Sequence, residues 1–243
     1  LKTRLDQLLI DRQLADHIDN ARALIGAGEV YVNDAISDKP GLLLNSTVAI
    51  RLKEKCPFVS RGGFKLQGAL SAFKQEVEGL ICLDVGASSG GFTDCLLQHG
   101  AKQVYAIDVA YGQLAWKIRQ DDRVEVLERF NARKLTPTDL NHADVGLAVM
   151  DVSFISLTKI LPVLFELFSG KVAVIALVKP QFELPKSDIG PGGVVTNPDL
   201  HQKAIDKIRD FAHSFGLYAE DVITSPILGP KGNTEFLIHI KTQ

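Results

Sequence analysis

Apolar positions in this chain follow two rhythms. From residue 80 onward, short continuous apolar runs alternate with stretches in which apolar residues recur every three or four positions. Runs of the first kind read as buried strands and stretches of the second as amphipathic helices. The pattern predicts strands at 80–85, 103–108, 124–127, 145–150, 171–178, 218–224 and 234–241, with helices near 91–99, 112–119, 156–168 and 198–215. Such alternation builds an open, doubly wound, mostly parallel sheet. Only Ser225 to Gly232 joins the last two strands, which is too short for a parallel crossover, so the final strand is expected to run antiparallel.

Before residue 57 the elements are shorter. Leu5-Leu8-Leu9 and Ala21-Leu24-Ile25 predict two small helices, Gly28 a helix stop, Val30-Tyr31-Val32 a strand, Asn33-Asp34 a turn, and Thr47 to Leu52 a closing strand. A further amphipathic helix, with Leu66, Ala69, Leu70 and Phe73 on one face, spans Gly63 to Phe73. The change of rhythm divides the chain into a small α+β domain, 1–57, and an α/β domain, 58–243.

With 243 residues, 46% of them hydrophobic, the chain can bury two cores. It has no run of eighteen apolar residues and no charged-then-apolar start, so a cytoplasmic protein without a membrane partner is expected. Cys56, Cys82 and Cys95 share no CxxC spacing, which points to reduced thiols and to no metal site. The formal charge of -2 offers no general attraction to nucleic acid. Local basic surface does exist, because Arg51, Lys53, Lys55, Arg61 and Lys65 are opposed only by Glu54.

The first strand of the larger domain runs from Ile81 through Asp84 into Gly86-Ala87-Ser88-Ser89-Gly90-Gly91-Phe92. Glycines at such a turn let backbone amides approach a ligand. The spacing is not the GxGxxG of pyrophosphate binders, which disfavours a nicotinamide dehydrogenase. With an acid at the strand end it resembles the methyltransferase loop that wraps the methionine part of S-adenosylmethionine, in which Asp84 would attract the cationic end of the cofactor. Asp108 ends the next strand 22 positions after Gly86, near the interval at which an acid reaches ribose hydroxyls. Asn131, after the third strand, is a candidate for contacts near the adenine. A mostly parallel sheet with a reversed last strand is also the Rossmann-like methyltransferase arrangement.

Three polar residues stand where apolar strands end or begin: Asp151, Lys179 and Glu235. Ligands of open α/β sheets bind at the carboxyl ends of the parallel strands, and a reversed final strand begins on that same rim. With Ser60 to Leu66, Asp84 to Gly91, Met150 to Phe154, Val178 to Glu183 and Gly232 to Glu235, the chain resembles the TlyA (hemolysin A) family, whose catalytic domain is similar to the FtsJ/RrmJ 2′-O-ribose methyltransferases. The resemblance spans essentially the whole chain and implies a catalytic tetrad of Lys65, Asp151, Lys179 and Glu235. It also implies S-adenosylmethionine as cofactor and ribosomal RNA, as a cytidine on a ribosomal subunit, as substrate. Lys179 is expected between Asp151 and Glu235. Burial and Lys65 favour its neutral amine while the two carboxylates oppose this, so proton removal and mere orientation of the hydroxyl both stay open.

The small domain resembles the alpha-L RNA-binding fold of ribosomal protein S-four, through Arg4-Leu5-Asp6, Ala21 to Ile25 and Gly28 to Asn33. The resemblance turns Lys2, Arg4, Arg12 and Arg22 toward RNA phosphates, and Arg51, Lys53, Lys55 and Arg61 extend that surface. Where relatives place Ser-Arg, this chain has His17-Ile18, leaving Asp19 or Asn20 to cap the helix. Residues 1–60 balance eight Lys/Arg against eight Asp/Glu, so RNA affinity should need both domains. The glycine-rich stretch Glu183 to Val195 is expected to form a mobile lid. A pore-forming hemolysin and a non-catalytic ribosome-assembly factor are the competing classes.

Overall fold

The computed structural model describes residues 2–53 and 56–243. The chain folds as two compact units, Leu1–Cys56 and Pro57–Gln243.

The first unit pairs β1 (Lys2–Arg4), followed at once by α1 (Leu5–Asp11), with α2 (Ile18–Gly26), β2 (Val30–Val32), β3 (Ala35–Ile36), β4 (Leu43–Asn45) and β5 (Ile50–Leu52). β3, β2 and β5 form one antiparallel sheet, and β1 and β4 a two-stranded one. Asn33 and Asp34 both take positive φ, as the tight turn between β2 and β3 requires. Leu5, Leu9, Ala21, Ile25 and Val30 are buried and make the core. The helix cap differs from expectation: His17 itself is the N-cap of α2, its Nδ1 accepting from Asn20 N at 3.2 Å, because its extended backbone leaves the ring facing the first turn.

The second unit begins with α3 (Gly62–Phe73) and continues through β6 (Ile81–Val85), α4 (Gly91–Gln98), β7 (Gln103–Ile107), α5 (Trp116–Arg119), β8 (Val124–Leu127) and β9 (Val145–Met150). It then runs through α6 (Leu161–Glu166), β10 (Ala173–Val178), α7 (Pro180–Glu183), α8 (Pro198–His213), β11 (Tyr218–Thr224) and β12 (Phe236–Lys241). The seven strands lie in the order β11-β12-β10-β9-β6-β7-β8. Only β12 is reversed, pairing antiparallel with both β10 and β11. This is the Rossmann-like methyltransferase sheet.

Successive residues of a strand point to opposite faces. Leu147 and Val149 therefore meet Leu66 and Ala69 of α3 and Leu96 of α4 on one side. Ala148 and Met150 meet Leu161 and Leu164 of α6 and Ala204 and Ile208 of α8 on the other. Truncating a fully buried leucine such as Leu147 to alanine should cost about 2–5 kcal/mol.

Several elements are shorter than predicted. The helix near 112–119 is only α5, because Gly112 takes φ +73° and Ala115 is extended, while Leu114 still buries its side chain. The helix near 156–168 splits into a 3₁₀ turn, Leu157–Lys159, and α6, whose first turn contains Pro162 and so cannot continue the preceding hydrogen-bond ladder. The closing strand of the small unit is β5 alone. The stretch from Glu183 to Val195 contains two 3₁₀ turns, and Asn233 ties down its far end, with Oδ1 accepting from Val195 N and Nδ2 donating to Gly193 O, both at 2.9 Å.

Candidate active site

The sheet register places the candidate residues. Val178 of β10 lies opposite Phe236 of β12, so Lys179 and Glu235 follow and precede these strands at the same edge. Met150 of β9 is level with Ala176, which brings Asp151 there as well. α3 delivers Lys65 from the face of the sheet.

The four side chains form a chain of ion pairs. Glu235 Oε2 accepts from Lys65 Nζ at 2.6 Å, Lys65 Nζ lies 3.7 Å from Asp151 Oδ2, and Asp151 Oδ1 meets Lys179 Nζ at 2.6 Å. The last is a charge contact rather than an aligned hydrogen bond. Lys179 also donates to Ser153 Oγ at 3.0 Å. Lys65, not Lys179, thus occupies the place between Asp151 and Glu235. The reason is tertiary: α3 packs over β12 and inserts its lysine between the strand ends. Lys65 and Glu235 are nearly sealed, with side-chain exposures of 8% and 1%, whereas Asp151 keeps 21%. Removing one partner of such a sealed pair leaves an uncompensated charge.

Two cavities flank the glycine turn. One, of about 390 Å³, is lined by Arg61, Gly86 to Ser89, Gly91, Phe92, Asp151 and Lys179. The other, of about 350 Å³, reaches Asp108, Phe130, Asn131 and Ile155, and shares Gly86, Ser88, Asp151 and Ser153 with the first. Gly86 has φ +85°, and a Cβ there would lie 2.4 Å from the Asp151 carbonyl, so glycine lets the turn close against β9. Gly90, at φ +92°, packs on Leu114 in the same way.

Asp108 accepts from Ser88 N and Ala110 N, each at 2.8 Å, and keeps a second lone pair on each oxygen. Asn131 caps the 3₁₀ turn that follows it, accepting from Arg133 N. Asp84 does not line either cavity. It is fully buried behind the turn, with Oδ2 accepting from Thr93 Oγ1 at 2.6 Å and Oδ1 unpaired. Burial pushes its carboxyl up to about 7, the Thr93 hydrogen bond opposes this, and the charge of Asp151 adds to it. A buried acid with an unpaired oxygen beside an amide-rich turn fits the cationic end of S-adenosylmethionine, acting through its field.

A third cavity, of about 470 Å³, lies beyond Lys179 and is lined by Ser153, Phe154, Phe182, Ile189, Pro230 and Glu235, among others. Lys179 and Ser153 belong to the walls of both this cavity and the first. Ser153 and Phe154 did not stand out in the sequence beyond their place in a motif.

In the small unit the basic residues are largely engaged. Arg4 and Arg22 converge on the buried Asp6, at 2.6 and 3.3 Å, holding its carboxyl down at about 2 chiefly through the Arg4 hydrogen bond. Arg12 donates to Ser46 O at 2.7 Å, and Arg51 pairs with Asp34 while its guanidinium sits over the Tyr31 ring. Lys2 and Lys53 are exposed. Lys55 lies outside the described residues. In the larger unit Arg61 is exposed beside the first cavity, whereas Lys65 is turned inward and adds nothing to an outer basic surface.

The sheet with its single reversed strand, the glycine turn and the adjoining cavities define an S-adenosylmethionine-dependent methyltransferase. The FtsJ-like methyltransferase family model matches residues 58–242, and the chain belongs to that family, in its TlyA branch. It is 46% identical over 240 residues to a Bacillus subtilis (strain 168) protein provisionally described as an rRNA methyltransferase, YqxC, covering 98% of this chain and 85% of the relative. It is 45% identical to the Mycobacterium tuberculosis (strain H37Rv) "16S/23S rRNA (cytidine-2'-O)-methyltransferase TlyA", covering 100% of this chain and 91% of that one. A solved Streptococcus thermophilus structure, provisionally described as a hemolysin, superposes with a TM-score of 0.76 at 43% identity, covering 100% of this chain and 89% of that chain. Among the described residues, no helix is long and apolar enough to cross a membrane.

Proposed function

We propose that this enzyme methylates the 2′-hydroxyl of a cytidine in ribosomal RNA, with Lys65, Asp151, Lys179 and Glu235 as its catalytic group. The observation that carries the reading is Lys179 and Ser153 standing in the wall common to two cavities, one against the glycine turn and one open toward an acceptor. S-adenosylmethionine supplies an electrophilic methyl group when bound. The glycine turn, Asp108 and Asn131 would hold it, and Lys179, oriented by Asp151 and Ser153, would hold the ribose hydroxyl in line and accept its proton or stabilise the developing alkoxide. Glu235 would hold Lys65, and Lys65 would steady Asp151 from behind.

Phe154 suits an RNA acceptor. It is 90% exposed at the rim, 5.0 Å from the Phe182 ring, and offers an open face on which an unstacked base can lie. The first unit would act as the alpha-L RNA-binding module, with Lys2, Arg4, Arg12, Arg22, Arg51, Lys53 and Lys55, joined by Arg61, meeting phosphates. Because Arg4 and Arg22 share one buried carboxylate, they would present a preset pair of guanidiniums. The cytidine assignment follows the name of the M. tuberculosis relative. Mapping ribose methylation on ribosomal RNA from cells with and without this protein tests the reading. Loss of one or more 2′-O-methylcytidines in the deleted strain supports it, and identical maps oppose it.

A further inference from the structure

The rim segment from Asp151 to Leu157 carries Asp151, Ser153 and Phe154, yet little backbone structure holds it. Asp151 N donates to Val85 O at 3.0 Å, and Lys159 N donates to Ser156 O at 3.1 Å. Between them, residues 152–155 make no backbone–backbone hydrogen bond to the described residues. Phe154 has φ +65°, a conformation unfavourable for a side chain of its size, and is almost fully solvent-exposed. Something else must keep the segment in one place.

The structure assigns that task to side chains of the neighbouring rim segment, and we infer that Glu183 is a positioning residue for methyl transfer. The two segments leave the adjacent parallel strands β9 and β10 and are joined in order along their length. Lys179 holds Asp151 and Ser153, Phe182 lies against Phe154, and Glu183 takes the far end. Its Oε1 accepts from Leu157 N at 2.7 Å and its Oε2 from Ser156 Oγ at 2.5 Å.

Glu183 is itself fixed. Its side chain is 1% exposed, and Lys207 of α8 donates to Oε2 at 2.9 Å and to the Glu183 carbonyl at 2.6 Å. A buried carboxylate with several donors holds them strongly, since each is a charge-assisted bond. Glu183 touches none of the candidate catalytic side chains. It acts through the segment, keeping Phe154 in its strained conformation and Ser153 within reach of Lys179. The catalytic part of this inference rests on the ribose methyltransfer reading, whereas the positional part does not.

The test uses the full chain with Glu183→Ala and Glu183→Gln, each checked by thermal melt. Exchange of the two hydrogen-bonded amides that bound the segment, Asp151 N and Leu157 N, should rise clearly in Glu183→Ala. With saturating S-adenosylmethionine, its single-turnover transfer to ribosomal subunits should fall about 10- to 100-fold, the scale expected when reacting groups shift by an ångström. Subunit affinity should fall less than the rate does, since the shift acts chiefly on the bound complex and only the Phe154 face bears on binding. Glu183→Gln keeps an acceptor for Leu157 N and should recover most of the rate, losing about 3- to 10-fold for the missing charge. If the alanine variant does not fold, the glutamine variant carries the test by the same two measurements. A folded variant with unchanged exchange, or with raised exchange and a wild-type rate, overturns the inference. Absence of transfer by the wild-type enzyme would instead remove the RNA reading, and raised exchange would still support the positional role.

Discussion

Replacing Lys179 with alanine separates chemistry from structure. The lysine side chain is 10% exposed and its main partner, Asp151, is 21% exposed. Breaking a buried pair outright costs about 3–5 kcal/mol. Here Asp151 keeps Lys65 at 3.7 Å and some solvent, so the expected loss is smaller, about 1–3 kcal/mol. In a unit of this size each kcal/mol lowers the melting temperature by about 2–4 °C, so Lys179→Ala should melt several degrees early yet remain folded at 25 °C. Its turnover should fall about 10²–10⁴-fold, the worth of a positioned acid–base group. Cofactor affinity should remain near wild type, because Lys179 borders only one end of the cavities by the glycine turn. Lys179→Arg should not rescue the rate, since the planar guanidinium stays protonated and cannot occupy the same space between Asp151 and Ser153. Single-turnover transfer to ribosomal subunits, paired with calorimetric cofactor binding and a melt, measures all three quantities. A folded alanine variant within about fivefold of the wild-type rate would remove Lys179 from the chemistry and leave a structural ion-pair cluster.

Three further outcomes are expected. Asp84, whose carboxyl is raised to about 7, should be largely protonated below neutrality, and a cationic ligand favours its ionised form. S-adenosylmethionine binding should therefore release a proton and strengthen as pH rises through about 7, and Asp84→Asn should abolish that dependence; pH-independent binding by wild type would contradict the field role. His239 is 4% exposed, stacked on Phe73, with both ring nitrogens unpaired, and burial, its main cause, lowers its pKa from 6.5 to about 4. As pH falls below 6.5 the unfolded chain takes up this proton before the folded one, so stability should drop by up to about 3 kcal/mol between pH 6.5 and 4. His239→Phe should remove that part of the acid dependence in chemical denaturation, and an unaltered profile would rule it out. Lys2→Glu with Lys53→Glu should raise the apparent constant for ribosomal subunits and flatten its salt dependence while sparing cofactor affinity, and an unchanged constant would place RNA on another face.

The sheet was legible because its central strands β9 and β10 are continuous apolar runs buried on both faces, a signal that survives in sequence alone. β9 follows 145–150 as read. The reversed direction of β12 followed from a connection too short to cross the sheet. What periodicity could not show were elements made by local backbone choice. The β1–β4 ladder is three residues long on each side and includes polar Lys2, Arg4 and Asn45. Gly112 and Pro162 delayed or split helices that apolar spacing alone would have made continuous. At the site, strand ends located Asp151, Lys179 and Glu235. The order of the ion pairs depended on how α3 crosses β12, which no spacing encodes. Glu183 follows Lys179 by one helical turn, and that spacing was the one available hint that it serves the same rim. The attraction of Asp84 for a cationic ligand was legible at the strand end, but its burial behind the glycine turn is a tertiary property.

Methyl transfer to ribose on ribosomal RNA is proposed at the edge formed by Asp151 and Lys179. Its most direct test is incubation of the purified protein with S-adenosylmethionine labelled at the methyl group and with ribosomal subunits from cells lacking this protein, followed by digestion to nucleosides and separation. Wild type should place the label on the 2′-oxygen of cytidine, and Lys179→Ala should place essentially none there. Label on a base, or no label in RNA from the wild-type reaction, would contradict it.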